Sequence, residues 1–264
     1  MKKCALINDL SGFGKCSLGV GIPIISVLGI EAHPMPTAVL SAQTGYSSYK
    51  KIDLTEYMPL FFDEWNKLGF RFDGILTGYF SAEKQVDAAI AFAKHSDAVL
   101  LADPVMGDDG QRYDGFTDSL CSKIKALAFS ADIITPNVTE LHLLTGERDI
   151  HKGAEILLSG GVKSVVVTGI KKDHKIGNAV FEKDSCREFY SDYYEGGSYS
   201  GTGDMLASIV MGKVLSGSDV FSAVKTATEF ISFVIKNSDV RNRNDGVDFE
   251  KYLCKLGCDN NEKK

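Results

Sequence analysis

The chain has 264 residues, of which 44% are hydrophobic and 24% are charged, the composition of a globular protein with a sizeable core. A net charge of −6 without any basic run argues against nucleic acid as a partner, and no apolar stretch approaches the roughly 18 residues that span a membrane. The six scattered cysteines, and a short apolar N-terminus without a small-residue cleavage site, predict a cytoplasmic protein with reduced thiols.

Short apolar runs alternate with helix-length amphipathic stretches from the N-terminus to Thr168. The predicted strands are Cys4–Asn8, Glu31–Thr37, Gly74–Thr77, Ala98–Ala102, Asp132–Thr135 and Ser164–Thr168. The predicted helices are Ser17–Leu28, Leu54–Leu68, Ala82–His95, Asp118–Ala128, Val138–Leu144 and Lys152–Leu158. That alternation is typical of βαβ units and predicts an α/β fold with a parallel sheet.

The pattern changes after Thr168. The remaining predicted elements are an edge hairpin of Ile176–Glu182 and Cys186–Tyr194 around Lys183–Ser185, a buried helix over Met205–Met211, a helix over Val220–Lys236 and a short helix near Phe249–Leu256. No linker or repeat divides the chain. We therefore expect one domain over residues 1–258 and a disordered polar tail over residues 259–264.

Polar clusters follow four of the predicted strands. They are Asp9–Gly14, Asp103–Asp108, Thr135–Glu140 and Thr168–Gly169. Because a doubly wound sheet binds its ligands at the carboxyl ends of its strands, these clusters predict a site at that edge.

The first cluster looks like a phosphate-binding P-loop but does not match one. Asp9 stands where the motif needs its first glycine, and Cys16 stands where it needs a hydroxyl. Asp9 and Ser11 are instead candidate substrate contacts. The alternative is that Ser11 and Gly12 only turn the chain into a helix.

Two further clusters carry candidate metal ligands. Asp103 and Asp108 flank a turn that contains proline and glycine, and they could hold a cation or cap a helix. Asn137 and Glu140 lie three residues apart at a helix start, where Glu140 could orient water on Mg²⁺ and Asn137 could touch a phosphate. The alternative for this pair is a capping box that only closes the helix end.

The tetrapeptide Gly201-Thr202-Gly203-Asp204 precedes the buried helix that follows Thr168. A glycine-rich first turn offers free backbone N–H groups and the positive end of the helix dipole to an anion. Asp204 could then accept a proton from an attacking hydroxyl. The alternative is that Asp204 is an N-cap behind a glycine turn.

Together these segments resemble the ribokinase-like vitamin kinases, and most closely the pyridoxal, pyridoxine and pyridoxamine kinases. The resemblance rests on Asp103–Asp108, Ala131–Glu140 and Gly201–Asp204, with support from Thr37–Tyr46 and Leu76–Tyr79. It implies a doubly wound, mainly parallel sheet flanked by helices, with a small edge hairpin and no large lid. It also implies ATP as phosphate donor, Mg²⁺, a monovalent cation such as K⁺, a vitamer as substrate and a homodimer.

The resemblance also assigns roles to individual residues. Asp204 would activate the 5′-hydroxymethyl group of the substrate, and Gly201 and Gly203 would stabilise the γ-phosphoryl group. Thr44 and Tyr79 would line the substrate pocket, beside the candidate contacts Asp9 and Ser11. The other implied groups are Asp108, Tyr113, Asn137, Thr168 and Thr202 for ATP, and Asp103, Asp108, Thr135 and Glu140 for the metal ions. Tyr113 would belong to a mobile flap over Asp108–Gly115.

Two positions depart from the pyridoxal kinase pattern. Asp9 stands where many of those kinases have a serine, and Asp9-x-Ser11-Gly12-x-Gly14 leans towards the hydroxymethylpyrimidine kinases of thiamine synthesis. Gly169 replaces a hydroxyl residue that some relatives use for the nucleotide. The alternatives to a vitamin B6 kinase are therefore a hydroxymethylpyrimidine kinase or phosphokinase, and a non-catalytic binding protein with the same fold.

Overall fold

A computed structural model describes residues 1–191, 199–240 and 242–257. The strands are β1 (Lys3–Ser11), β2 (Glu31–Leu40), β3 (Lys51–Asp53), β4 (Gly74–Thr77), β5 (Val99–Ala102), β6 (Gly107–Asp108), β7 (Gln111–Arg112), β8 (Ile133–Ile134), β9 (Ser164–Lys172), β10 (Lys175–Glu182) and β11 (Ser185–Ser191). The helices are α1 (Ser17–Val27), α2 (Met58–Lys67), α3 (Glu83–Lys94), α4 (Asp118–Ala128), α5 (Val138–Thr145), α6 (Ile150–Ser159), α7 (Thr202–Leu215), α8 (Val220–Lys236) and α9 (Cys254–Gly257).

Within the described ranges, nine strands form one sheet in the order β11-β10-β9-β8-β5-β4-β1-β2-β3. The pairs from β2 through β9 are parallel, while β3, β10 and β11 add antiparallel edges. The predicted mainly parallel sheet with an edge hairpin is confirmed. In the sheet, β2 lies on one side of β1 and β4 lies on the other. Connections that leave in opposite directions open a crevice at the carboxyl ends of the central strands.

The sheet separates two apolar cores. Alternate residues of β1 face opposite sides: Ala5 and Ile7 pack in one core, and Cys4 and Leu6 pack in the other. Helices α2 to α6 cover the first core, and α1, α7 and α8 cover the second. Because both faces are buried, the parallel strands read as continuous apolar runs in the sequence.

Several boundaries differ from the predicted ones. Helix α6 begins at Ile150, two residues early, because Asp149 caps it by accepting hydrogen bonds from the backbone N–H groups of His151 and Lys152. Strand β8 has only two residues, and strands β3, β6 and β7 were not predicted. Helix α2 begins at Met58 rather than Leu54.

Three expectations fall outside what these elements test. The last residues of the predicted hairpin strand, Asp192 to Tyr194, and the tail at 259–264 lie outside the described residues. One domain over residues 1–258 stays a prediction. None of the helices in the described part of the chain is both long and apolar enough to cross a membrane.

Candidate active site

A cleft of about 370 Å³ opens at the carboxyl ends of β1, β4, β5, β8 and β9. Its volume lies in the range of small-molecule sites. The cleft is lined by residues of all four polar clusters and by the start of α7, including Asp9, Ser11, Thr44, Tyr79, Asp103, Asp108, Tyr113, Thr135, Asn137, Glu140, Thr168, Gly201, Thr202, Gly203 and Asp204. Every residue that the sequence singled out for the site therefore lines one cleft.

Helix α7 presents an open N-terminus to this cleft. Its N-cap is Gly201, whose φ of 82° is in the left-handed region, and no side chain of the described residues caps the helix. A Cβ on Gly201 would lie 1.9 Å from the backbone oxygen of Lys15, so only glycine fits there. The Thr202 N–H donates a long, 3.4 Å bond to the Tyr199 oxygen, and the neighbouring N–H groups of Gly201 and Gly203 make no hydrogen bond with the described residues and are available to an anion.

Asp204 is the third residue of α7 and not its N-cap, so the capping interpretation of Asp204 is wrong. Its Oδ1 accepts a 3.0 Å hydrogen bond from Nδ2 of Asn8, and its carboxylate also accepts one from the backbone N–H of Ser17. Burial raises the pKa of Asp204 to about 6, with a further contribution from the charge of Asp9. A carboxylate with that pKa is a competent proton acceptor near neutral pH.

Asn8 is a site residue that the sequence analysis missed. Its Nδ2 holds Asp204, and its Oδ1 accepts hydrogen bonds from the backbone N–H groups of Asp9 at 2.9 Å and Tyr79 at 2.8 Å. A Cβ on Gly78 would lie 2.3 Å from Asn8 Nδ2, so glycine is needed beside it. The sequence signal for Asn8 is that a polar residue directly follows the apolar run Cys4–Ile7, at the carboxyl end of a predicted strand.

Asp9 is buried on the β1 side of the cleft. Its Oδ2 accepts a 2.8 Å hydrogen bond from the Ser11 hydroxyl, and its Oδ1 accepts one of 2.6 Å from the Ser17 hydroxyl. Burial raises the pKa of Asp9 against the opposing effect of these hydroxyls. The hydroxyls of Ser11 and Ser17 therefore hold the Asp9 carboxylate in one orientation.

Asp103 and Thr135 form the centre of the candidate cation region. Thr135 Oγ1 donates a 3.1 Å hydrogen bond to Asp103 Oδ1, and Asp103 Oδ2 lies 4.0 Å from where a Cβ on Gly203 would be. Burial, together with the charge of Asp204, raises the pKa of Asp103 to about 7. Two neighbouring carboxylates with raised pKa values favour a nearby cation.

Glu140 and Asn137 form the capping box that was the alternative interpretation. Asn137 Oδ1 accepts from the backbone N–H of Glu140, and Glu140 Oε2 accepts from the backbone N–H of Asn137, both at 2.9 Å. Glu140 Oε1 accepts a third bond from the backbone N–H of Met106 at 3.0 Å. Burial and the charge of Asp103 raise the pKa of Glu140.

The metal assignment stays a prediction. No group of three or more histidine, cysteine or acidic side chains among the described residues is placed to hold a metal ion by itself. The raised pKa of Asp103 nevertheless fits a cation held partly by this carboxylate and partly by oxygens of a bound phosphate and water.

The short hairpin of β6 and β7 carries Tyr113 to the cleft. The Tyr113 backbone N–H donates to the Met106 oxygen at 2.9 Å, and Asn137 Nδ2 donates to the Gly107 oxygen at 2.8 Å. Tyr113 lines the cleft while remaining 45% exposed. This hairpin occupies the predicted flap, and no large lid is present among the described residues.

Residues 242–248 form a C-terminal clasp that joins three segments on the β1 side of the cleft. The oxygen of Asp245 accepts from the backbone N–H of Lys15 at 3.2 Å, and the oxygen of Asn244 accepts from Gln43 Nε2 at 3.2 Å. The oxygen of Arg243 accepts from the backbone N–H of Ser200 at 3.1 Å. The clasp thereby links the loop after β1, the loop after β2 and the segment that leads into α7.

Comparisons with known proteins agree with this geometry. A family model for phosphomethylpyrimidine kinase matches residues 31–247. The pyridoxal kinase of Dictyostelium discoideum is 28% identical over 224 aligned residues, which cover 70% of this chain and 69% of the relative.

Two crystal structures share the fold. A Bacteroides thetaiotaomicron protein assigned as a phosphomethylpyrimidine kinase, in a form with pyridoxal, has a TM-score of 0.91 and 33% identity, covering 97% of this chain and 95% of that chain. The pyridoxal kinase of Lactobacillus plantarum has a TM-score of 0.92 and 25% identity, covering 98% of both chains. The range matched by the family model contains Asp103, Glu140 and Asp204.

Proposed function

The chain belongs to the phosphomethylpyrimidine kinase family of ribokinase-like vitamin kinases, close to the pyridoxal kinases, and we propose that it phosphorylates the 5′-hydroxymethyl group of a vitamin B6 vitamer with ATP. The observation that carries this proposal is Asp204 at the open N-terminus of α7, inside the cleft that the other site residues line. A base beside an anion hole is what transfer of a phosphoryl group to an alcohol requires.

In the proposed reaction, Asp204 accepts the proton of the substrate hydroxyl as its oxygen attacks the γ-phosphorus. The new oxygen–phosphorus bond forms while the bond from the γ-phosphorus to the bridging oxygen of ADP breaks. The backbone N–H groups of Gly201 and Gly203, on either side of Thr202, stabilise the charge on the transferring group. Asn8 keeps the Asp204 carboxylate oriented for this transfer.

The phosphates of ATP lie, in this proposal, between α7 and the cation region. Asp103, Asp108, Thr135 and Glu140 are the candidate groups for Mg²⁺ and a monovalent cation such as K⁺, partly through water. A bound Mg²⁺ would neutralise phosphate charge and fix the geometry of the γ-phosphate. The raised pKa of Asp103 supports a cation at this place.

The remaining candidate ATP contacts are Asp108, Tyr113, Asn137 and Thr168, which line the same part of the cleft. Asn137 Nδ2 donates one of its two protons to the oxygen of Gly107, and its second proton is the one proposed to reach a phosphate of ATP. Tyr113 is placed to cover the nucleotide when the hairpin of β6 and β7 closes.

The acceptor lies at the other end, among Asp9, Ser11, Thr44 and Tyr79. Burial raises the pKa of Tyr79 to about 12, so its ring contacts the substrate as a neutral phenol. The Asp9 carboxylate favours a substrate with a protonated ring nitrogen or an amine, which supports pyridoxine or pyridoxamine as well as pyridoxal. The Bacteroides relative with pyridoxal supports a B6 vitamer in this position.

Hydroxymethylpyrimidine is the second candidate acceptor. The family model itself describes phosphomethylpyrimidine kinases, and Asp9-x-Ser11-Gly12-x-Gly14 is the segment that leans towards them. Both candidates carry a hydroxymethyl group on an aromatic nitrogen ring, so Asp204 would have the same role with either.

A homodimer is part of the proposal. Strand β3 lies at the edge of the sheet, and apolar side chains on and near it are exposed: Ile52 at 64%, Tyr57 at 55%, Leu60 at 61% and Phe61 at 47%. Exposed apolar groups along an edge strand favour association with a second copy.

A coupled kinase assay tests the proposed function. ADP release is measured with pyridoxal, pyridoxine, pyridoxamine and hydroxymethylpyrimidine, with and without Mg²⁺ and K⁺. We expect the highest kcat/KM with a B6 vitamer and no turnover without Mg²⁺. A higher kcat/KM with hydroxymethylpyrimidine would assign the second candidate, and vitamer binding without any turnover would show a non-catalytic protein.

A further inference from the structure

An irregularity in the sheet turns one amide side chain towards the cleft. Gly177 pairs with Ile170 and Ala179 pairs with Val167, so two residues of β9, Thr168 and Gly169, lie opposite Asn178 of β10. Gly169 has a φ of 70°, which lets β9 accommodate the extra residue. Bulges of this kind re-aim side chains, and Asn178 lines the cleft.

The orientation of the Asn178 amide is fixed by a chain of hydrogen bonds. The Thr228 hydroxyl donates its proton to the Val224 oxygen at 2.8 Å. That hydroxyl can then only accept from Asn178, so the Nδ2 group of Asn178 faces it at 2.9 Å. The Oδ1 atom of Asn178 accepts no hydrogen bond from the described residues and is left for a ligand.

The residues near the Asn178 amide suit a flat aromatic ligand. Ile176 of β10 and Ile231 and Ile235 of α8 line the cleft, and Ser232 and Lys236 of α8 line it as well. Asn178 lies on the β9–β10 side of the anion hole, whereas Asp9 lies on the β1 side, towards the opposite edge of the sheet. Apolar side chains combined with an oriented polar group are typical of a site that binds a ring and reads one of its edges.

We infer that Asn178, held by Thr228, selects the base of the donor nucleotide by accepting a hydrogen bond from the exocyclic amine of adenine. This inference rests on the proposed function in one respect, that the nucleotide occupies the β9–β10 end of the cleft. Guanine and hypoxanthine carry a carbonyl oxygen where adenine carries that amine. Two acceptors would then face each other, and Asn178 Oδ1 would lose its partner.

Titration calorimetry with Mg·ADP, Mg·IDP and Mg·GDP tests the inference without requiring turnover. We expect the wild type to bind ADP roughly tenfold more tightly than IDP or GDP, the size of one hydrogen bond to a half-buried neutral group. Asn178→Leu has nearly the same shape without the acceptor, and we expect its ADP and IDP affinities to agree within about twofold. Asn178→Asp keeps an acceptor and should retain the preference for ADP.

Two further variants separate selection from loss of structure. Thr228→Val removes the group that fixes the amide, which can then turn its Nδ2 group to the carbonyl of IDP, and we expect ADP affinity to fall, IDP affinity to rise and the preference for ADP to narrow. Asn66→Ala, at an exposed position of α2, is the matched control and should keep the wild-type ratio. Thermal melting of each variant reports whether it is folded.

The inference is overturned if wild-type protein binds ADP and IDP equally, or if folded Asn178→Leu keeps the wild-type ratio. A wild-type preference for GDP or IDP would mean that the amide is turned the other way and would also overturn it. Preferential ADP binding without phosphorylation of any acceptor would leave this inference standing and refute the proposed function.

Discussion

Two helix N-termini meet at the cleft, and they use a carboxylate at the same position in opposite ways. Glu140 is the third residue of α5, as Asp204 is the third residue of α7. Glu140 turns back to its own N-cap residue, Asn137, and closes the helix end. Asp204 follows a glycine N-cap that offers no side chain, and its carboxylate is held by Asn8 instead.

The difference shows what makes a helix end available to a ligand. The motif that precedes α5 satisfies the first backbone N–H groups internally, so that end contributes rigidity. The glycines of α7 leave those groups to be satisfied from the cleft. A carboxylate near a helix start therefore indicates a site only where the N-cap residue does not already close it.

We expect the largest effect, on kcat, from removing the carboxylate of Asp204 at the N-terminus of α7. Asp204→Asn keeps the shape and the acceptor for Asn8 but cannot take a proton. We expect kcat to fall by roughly 10²–10⁴-fold, while Kd for the vitamer and nucleotide and the melting temperature change little. Steady-state kinetics, calorimetry and thermal melting measure these quantities. A variant that retained most of its turnover would show that Asp204 is not the base.

A pair of glycine variants tests whether the open end depends on close packing. Gly201 and Gly146 both have φ near 80°, but a Cβ on Gly146 meets nothing within 4 Å. Gly146→Ala should cost about 1–2 kcal/mol for the left-handed backbone alone. Gly201→Ala adds the collision with the Lys15 oxygen and should cost about 2–5 kcal/mol.

Denaturant unfolding of the two variants gives the comparison. Equal losses would mean that the Lys15 loop moves away freely, and the requirement for glycine at the anion hole would then be only conformational.

A substitution at the N-terminus of α5 should lower the stability of the protein more than its catalytic rate. In Glu140→Gln, the side-chain amide has one acceptor for the two backbone N–H groups of Asn137 and Met106 that Glu140 satisfies. We expect a loss of about 2 kcal/mol in the free energy of unfolding. If Glu140 also holds water on Mg²⁺, the Mg²⁺ concentration for half-maximal activity rises as well. Unchanged stability would contradict the role of the capping box.

The smallest effect concerns pH. The pKa values of Asp103 and Asp204 are raised from 3.8 to about 7 and about 6, so between pH 4 and 7 the folded protein holds protons that the unfolded chain has released. Stability from these groups is therefore present at low pH and is lost as pH rises through that window. We expect the melting temperature of the ligand-free protein to fall by about a few degrees from pH 5 to 7.5.

Asp103→Asn is the control for this effect, because it removes the titration of Asp103 and should flatten the pH dependence. A melting temperature that rises with pH in the wild type, and equally in the variant, would show that other groups dominate.

The parallel strands, and the edge of the sheet at which the site lies, could be predicted because short stretches of the sequence indicate them. Buried parallel strands give continuous apolar runs, and the polar residues after them mark the carboxyl edge. Strands β3, β6 and β7 have two or three residues, too few for a periodic pattern, and they form only because a partner lies beside them.

The missed site residues depend on contacts that are distant in sequence. Asn8 acquires its role by facing Asp204, 196 positions away, and Asn178 by facing Thr228, 50 positions away. The roles of Asp204 and Glu140 also could not be separated from the sequence, since each follows a turn at a helix start. Only the identity of the N-cap residue distinguished them, and that required the helix boundary.

The C-terminal clasp has a consequence for biosynthesis. Its bonds to Lys15, Gln43 and Ser200 draw together loops made at very different times during translation. The central parallel strands all precede Lys172, so a nascent chain has the residues for the sheet well before residues 242–248 leave the ribosome. The acceptor end of the cleft is therefore the last part of the site to be completed during synthesis.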